Sequence, residues 1–149
     1  MTAHQPQLPE AGTDPRRGEA RTGAAAPAQL FFLRIVRLMA TGGIDDARAA
    51  TLLLGRFGRA YRRPLILTRA LVLELARTSH RKITLASPCC HRITSDEVVI
   101  LRAIGRGDGQ FRQRHEDACR LLDRDNALGA ATCFQAVGEC FADLGLRLD

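Results

Sequence analysis

The sequence predicts an all-α fold, a compact bundle of about five to six short helices that follows a disordered N-terminal arm. Apolar residues recur at helical spacing in six segments, and short connections with glycine or helix-capping residues separate most of them. The chain has 149 residues, of which 46% are hydrophobic, and this composition suits one globular domain with an ordinary core. We therefore expect an arm over residues 1–27 and a single helical domain over residues 28–149.

The composition also excludes several classes of protein. Proline and glycine interrupt residues 1–27, which show no apolar period, so we expect this arm to bury little. The longest stretch without a charged residue, Asn126–Gly138, has 13 residues and is too short to cross a bilayer. No secretory signal is seen either. We expect a cytoplasmic protein without a membrane span.

The first three predicted helices hold most of the apolar residues. Residues 28–40 are largely apolar apart from Arg34 and Arg37, which we expect to share the wet face of an otherwise buried helix. A second helix follows an Asp-Asp pair that offers caps, and it ends at a glycine. Pro64 suits the first turn of the third helix. This helix is the most apolar of all, and we expect it at the centre of the core.

Residues 78–93 interrupt the helical pattern. Residues 83–85, Ile-Thr-Leu, alternate like a short strand, but the sequence predicts no second strand to pair with it. Thr94 and Glu97 have the spacing of a capping box that starts the fourth helix. Two more helices follow, each with an apolar stripe, and we expect these last three to form one unit packed on the third helix.

The formal net charge of +6 is unevenly distributed. Residues 28–82 carry 11 basic and three acidic side chains, whereas residues 83–149 carry eight basic and ten acidic ones. Arg59, Arg62 and Arg63 could therefore form a face that binds an anionic partner, and an ordinary solvated face is the alternative. Aromatic residues make up only 5% of the chain, so few rings could stack on bases, and we expect no nucleic-acid binding.

The five cysteines predict reduced thiols rather than a disulfide framework, because their number is odd and their spacing irregular. Cys119, Cys133 and Cys140 fall on predicted helices, where a free cysteine usually packs as a small hydrophobic residue. Cys89 and Cys90 differ because they lie in the predicted loop.

The residues Cys89, Cys90 and His91 are the candidate metal ligands. A zinc site needs four donors, and adjacent residues usually point apart, so further cysteines or His80 or His115 would have to complete it. A redox-responsive thiol is also open, since the loop precedes a helix start that lowers a nearby thiol pKa. The third interpretation is a loop with a structural role only.

No pattern in the chain indicates catalysis. The glycines near residue 107 follow no strand and lack the Lys-Ser/Thr ending of a phosphate loop. Cysteine, histidine and acidic residues are present, but no local sequence builds an oxyanion hole for a thiol hydrolase. We assign no catalytic residue and no cofactor beyond the possible zinc.

Several short motifs resemble a family of small uncharacterised bacterial helical proteins with a Pro-Cys-Cys loop. They are Arg-Arg-Pro-Leu at residues 62–65, Pro-Cys-Cys at 88–90, Arg-Ile-Thr at 92–94 and Phe-Ala-Asp-Leu-Gly at 141–145. The resemblance covers roughly residues 30–146, and it implies a helical domain of unknown function with no established site. It also implies that the cysteine-rich loop is a family feature.

Taken together, these observations predict a non-enzymatic protein-interaction or regulatory module that binds a protein partner or a second copy of itself. The Phe- and Leu-rich first helix is one surface on which two copies could pair if the domain does not wholly cover it. The alternative function is a metal-binding or redox-responsive domain built on Cys89, Cys90 and His91.

Overall fold

The computed structural model describes residues 25–149, which form six α-helices and no strand. This confirms the all-α fold class. Residues 1–24 of the arm expected over residues 1–27 lie outside the described residues, and the helical domain begins one residue earlier than expected, with Pro27 in α1. A short 3₁₀ turn, Gly58–Tyr61, joins the second and third helices. The helices are α1 (Pro27–Gly42), α2 (Ala47–Phe57), α3 (Arg62–Thr78), α4 (Ser95–Gly105), α5 (Phe111–Leu122) and α6 (Leu128–Asp143).

Local sequence signals set where the helices begin and end. The side chain of Asp46 caps α2 by accepting a hydrogen bond of 2.8 Å from the backbone N–H of Arg48. Thr94 and Glu97 form the expected capping box at the start of α4. Gly58 ends α2 with a φ of 54°, a left-handed conformation that glycine adopts without steric cost.

The last three helices pack against one another, and α6 also lies along α3, as the sequence predicted. Helices α4 and α6 approach closely at Gly138, where a Cβ atom would come within 2.6 Å of the carbonyl oxygen of Ile104. Helix α1 closes the other side of the bundle by packing on α2 and α3. No helix in the part of the chain that the structure describes is long and apolar enough to span a membrane.

Helix α1 is the most completely buried helix at its centre, whereas α3, expected at the centre of the core, packs on α1, α2 and α6 but is buried along one side only. Of residues 32–39, every one except Arg34 is buried in α1. The ring of Phe32 meets that of Phe141 edge-on at 5.4 Å. The other side of α3 exposes apolar residues, because no element of residues 25–149 covers it. Most of the apolar face of α1 is therefore covered within one chain, while Leu30 and Phe31 near its start are half-buried.

Candidate functional site

Arg37 is buried and ion-paired, although the sequence placed it on a wet helix face. Its side chain is 1% exposed, and that of Glu97 is 0% exposed. The guanidinium Nε and Nη2 atoms donate to the two carboxylate oxygens of Glu97 at 2.6 and 2.9 Å. Such a bidentate geometry compensates two buried charges more completely than a single contact would. The charge of Arg37 is tolerated inside the bundle because Glu97 meets it there.

The same guanidinium holds the loop that carries the cysteines. Its Nη1 atom donates to the carbonyl oxygens of Ser87 and Cys90, at 3.3 and 2.6 Å, and Nη2 donates to that of Arg92 at 2.9 Å. Arg37 therefore fixes three carbonyls of a segment that has no helix or strand of its own. The loop keeps one shape because a buried charge is directed at its backbone.

Glu97 completes this arrangement from the first turn of α4. Its carboxylate accepts hydrogen bonds from the backbone N–H groups of Ala86, at 3.1 Å, and Thr94, at 2.8 Å. The sequence identified Glu97 only as half of a capping box. The partnership with Arg37 joins residues 60 positions apart, and no local sequence signal could have revealed it.

The neighbouring carboxylate, Asp96, binds the segment just before the loop. It accepts a hydrogen bond of 2.7 Å from the backbone N–H of Thr84 and pairs with the guanidinium of Arg81. Thr94 donates from its hydroxyl to the carbonyl of Thr84 at 2.7 Å. The side chains of Thr94, Asp96 and Glu97 at the start of α4 thus anchor residues 84–86.

The structure gives no support to a metal site at Cys89, Cys90 and His91. Cys89 and His91 are exposed and Cys90 is half-buried. Within residues 25–149, no three His, Cys, Asp or Glu side chains are grouped so that they could hold a metal ion. The zinc site remains a hypothesis without a set of donors around it.

The other three thiols lie on helices, as expected. Burial raises the pKa of the Cys133 and Cys140 thiols, so the nucleophilic thiolate is disfavoured at both positions. Cys119 differs because its Sγ atom lies 3.6 Å from Nε2 of His115. The spacing of four residues on a predicted helix is the sequence signal for this pair, which was not among the predicted sites.

The role of His115 at this position is structural. Its Nε2 atom accepts a hydrogen bond of 3.2 Å from the backbone N–H of Ala127, just before α6 begins. The Cys119 thiol in turn is directed towards the carbonyl oxygen of Asp125 at 3.6 Å. The pair therefore fastens the α5–α6 connection to α5.

The predicted anionic-partner face is exposed on the surface. Arg59, Arg62 and Arg63 all lie in or beside the turn between α2 and α3. Arg63 pairs with Asp143 at 3.2 Å, an exposed contact that contributes little stability. Within the described residues, no carboxylate lies within 4 Å of Arg59 or Arg62, so these two charges are available to a partner.

One line of exposed residues extends along α3 from this turn. Its members lie at spacings of four, four, three and four, which places them on one side of a helix. We call it the α3 stripe: Arg62, Ile66, Ala70, Leu73 and Arg77. Ile66 is 61% exposed and Leu73 is 40% exposed. The stripe thus has an apolar centre with a positive charge at each end.

An apolar groove of about 400 Å³ lies beside the α3 stripe. Helices α1 and α3 form two of its walls, and the segment between α3 and α4 forms the third. The lining includes Met39, Ala40, Leu73, Ala76, Ile83 and Leu85. Leu73 belongs both to the α3 stripe and to the lip of this groove, so the two surfaces are continuous.

A second cavity, of about 360 Å³, lies between the end of α4 and α6 and has a mixed polar lining. Arg114 is buried at its edge and donates to the carbonyl oxygens of Ala103, at 3.0 Å, and Arg106. These contacts satisfy carbonyls at the C-terminus of α4, where a positive charge also complements the helix dipole. Arginine and acidic side chains both line the cavity, and no single ligand charge is favoured.

Comparison with known proteins places residues 24–145 in a family of unknown function, DUF6628, and the chain belongs to that family. The match confirms the resemblance of the sequence to an uncharacterised helical family. Neither a curated protein nor a solved structure matches the chain at a significant level. The bacterial origin and the family-wide cysteine loop that the resemblance implied stay predictions.

Proposed function

We propose that this member of the family is a non-enzymatic interaction module that binds a partner protein through the α3 stripe. The observation that carries the proposal is the exposure of two large apolar side chains, Ile66 and Leu73, in line with Arg62 and Arg77, which form no ion pair with any residue from 25 to 149. Apolar residues grouped in this way on a soluble protein typically mark an interaction site.

The chemistry of the stripe defines the partner. Covering Ile66 or Leu73 completely is worth up to roughly 1.5–3 kcal/mol for each side chain, scaled by the fraction still exposed. Arg62 and Arg77 are 15 residues apart, which corresponds to roughly 22 Å along a helix. The partner surface that complements the α3 stripe therefore has an apolar centre flanked by acidic groups roughly 22 Å apart. This charge complementarity would also speed association of the two proteins.

The internal polar clusters support a non-enzymatic role. The charged side chains of Arg37, Glu97 and Arg114 are all engaged with the protein's own backbone or with each other. The His115–Cys119 pair is likewise engaged at the start of α6. We propose that the module works in the cytoplasm and that its partner is a protein rather than a nucleic acid.

A redox-responsive loop is the second candidate function, and the exposure of Cys89 favours it. The Cys89 backbone lies between the Ser87 and Cys90 carbonyls that Arg37 holds, so modification of this thiol would act on a segment tied to the core. Replacing Cys89 with serine separates the two functions. If the loop is redox-responsive, the Cys89→Ser variant should lose any change in partner binding that an oxidant causes in the original protein. If only the α3 stripe binds the partner, the original protein and the variant should bind it equally well.

The test compares partner capture by the immobilised full-length chain and its variants, using extracts of the cells that produce it. The double variant Ile66→Glu/Leu73→Glu places two negative charges on the stripe. Arg112→Glu on α5 is a matched control, because Arg112 is exposed and forms no ion pair in the described part of the chain. We expect the control to retain the captured protein and the double variant to lose at least about 90% of it. Equal capture by both variants would refute the role of the stripe.

A further inference from the structure

Backbone hydrogen bonds along residues 82–86 are made on one side only. The N–H of Thr84 donates to Asp96 at 2.7 Å, and its carbonyl accepts from the Thr94 hydroxyl at 2.7 Å. The N–H of Ala86 donates to Glu97 at 3.1 Å. The carbonyl of Lys82 accepts from the guanidinium of Arg81 at 3.0 Å, and that guanidinium also pairs with Asp96. All four contacts are made on the side of the start of α4, so this segment is bound along that edge by side chains rather than by another strand.

Ile83 and Leu85, on either side of Thr84, have backbone groups without hydrogen-bond partners in the described part of the chain. Neither the N–H nor the carbonyl of Ile83 or Leu85 is hydrogen-bonded to any atom of residues 25–149. In an extended chain, successive residues direct these groups to opposite sides. The free groups of Ile83 and Leu85 therefore point away from α4, and they form a short open edge like that of an outermost β-strand.

Side-chain positions agree with an extended chain. Ile83 and Leu85, two positions apart, both line the apolar groove, whereas Thr84 between them is exposed and is not part of its lining. Alternate positions of an extended chain face the same way, as Ile83 and Leu85 do. A peptide laid along the open edge would place its own alternate side chains over the same groove.

We propose that the open edge at Ile83 and Leu85 takes up an extended segment of the partner protein as an added β-strand. The proposal rests on the proposed function and specifies its binding mode. Main-chain hydrogen bonds to the edge would hold the segment in register, and the groove would select its side chains. The short strand-like sequence at residues 83–85, which has no partner within the domain, gains one in this complex.

Charge and polarity identify the occupant. The groove lining is mostly apolar, so every second residue of the segment should be apolar. Lys82 and Arg77 are exposed beside the groove, and no carboxylate among the described residues lies within 4 Å of either. Acidic residues at the intervening positions would meet these charges across the strand pair.

The same charges disfavour a second copy of the chain as the occupant. The self-pairing of two 83–85 segments is allowed by register, with Ile83 opposite Leu85 of the other copy. It would, however, bring together two regions, residues 28–82, that each carry 11 basic and three acidic side chains. The segment that fits is therefore acidic and comes from another protein.

The first test is a nuclear magnetic resonance titration of the ¹⁵N-labelled full-length chain with an acetylated nonapeptide of alternating valine and glutamate. We expect the amide resonances of Ile83 and Leu85 to shift and their hydrogen exchange to slow at least tenfold. The Thr84 amide, which already donates to Asp96, should keep its exchange rate. No change at Ile83 and Leu85 at saturating peptide would overturn the proposal.

Two N-methylated peptides test whether main-chain hydrogen bonds carry the binding. One is methylated on the valine nitrogens and the other on the glutamate nitrogens, so each loses the donors on one edge only. We expect one of them to bind at least tenfold more weakly and the other to bind nearly as well as the parent peptide. Equal weakening of both, or of neither, would contradict strand addition.

Groove-filling variants provide the matched control on the protein side. Ala76 lies exposed in the groove, and Ala142 lies exposed on α6 beside the polar cavity. We expect Ala76→Phe to weaken the peptide at least tenfold and Ala142→Phe to leave its affinity unchanged. Unchanged affinity in Ala76→Phe would overturn the role of the groove.

Other occupants would be revealed by the free chain. Protection of the Ile83 and Leu85 amides that rises with protein concentration would assign the edge to a second copy. Nuclear Overhauser contacts from these amides to residues 1–24 would assign it to the chain's own N-terminus, and either result overturns the proposal. Peptide binding and capture through the α3 stripe are independent readouts, so the strand mode can fail while the stripe variants still abolish capture.

Discussion

Removing the guanidinium of Arg37 should destabilise the protein strongly. Arg37→Met keeps a side chain of similar length but leaves the Glu97 carboxylate buried, with only the N–H groups of Ala86 and Thr94 as donors. The carbonyls of the 87–92 loop also lose their donor. Breaking one side of a buried ion pair costs about 3–5 kcal/mol, and we expect the free energy of unfolding to fall by this amount.

A double-mutant cycle separates the pair from the surrounding packing. Glu97→Gln removes the opposite charge while it keeps the shape, and we expect the double variant Arg37→Met/Glu97→Gln to lose less than the sum of the two single losses. The difference should be at least about 1 kcal/mol, because the two side chains are in direct contact. Urea unfolding followed by far-ultraviolet circular dichroism measures all four proteins.

The matched control is Arg34→Met, which lies one turn earlier in α1. Arg34 is exposed and forms no hydrogen bond or ion pair in residues 25–149, so we expect its replacement to change stability by less than about 0.5 kcal/mol. A loss below about 1 kcal/mol for Arg37→Met would refute the reasoning. It would mean that the loop and the first turn of α4 are held by other contacts.

Three further predictions concern the Thr68 hydroxyl, the Asp117 carboxylate and the cysteine thiols. The hydroxyl of Thr68 is fully buried and has no hydrogen-bond partner among residues 25–149, so Thr68→Val should raise the free energy of unfolding by about 1 kcal/mol in the same urea assay. Burial alone would raise the pKa of Asp117, but hydrogen bonds from two arginines outweigh it and lower that pKa. The stabilisation by Asp117 is therefore complete above the pKa of an unfolded aspartate, about 4, and is lost as the pH falls further. The urea concentration at the unfolding midpoint should fall between pH 5 and pH 3, and it should fall less in Asp117→Asn. Iodoacetamide should alkylate exposed Cys89 at least tenfold faster than Cys133 or Cys140, as peptide mass spectrometry would show, and equal rates would contradict their burial.

The helices could be predicted from the sequence because their signals are local. Apolar spacing and the capping box at Thr94 depend on residues within a few turns of one another, and the structure reproduces these elements closely. The one-sided burial of α3 could not be predicted in this way. Whether an apolar helix is central or lies at an edge depends on which other helices cover it, and the hydrophobic content of a single segment does not contain that information.

The features that hold and expose the candidate site depend on distant residues. The helical spacing of Arg37 predicted a solvent-exposed side chain. Its burial is favourable because Glu97 and three loop carbonyls, all distant in the sequence, form hydrogen bonds with it in the folded protein. Arg62 belonged to the predicted partner face, but the exposure of Ile66 and Leu73 beside it required the bundle to be known. The absence of a strand partner for residues 83–85 was visible in the sequence, yet its open edge was not.

Amide hydrogen exchange in the free full-length chain tests the central claim most directly, namely that residues 82–86 are bound along one edge and open along the other. The account predicts an alternation, in which the Thr84 and Ala86 amides are protected by Asp96 and Glu97 while the Ile83 and Leu85 amides exchange at nearly the rate of an unfolded chain. Uniform protection of all four amides in the free monomer would contradict the account, because the edge would then already be covered.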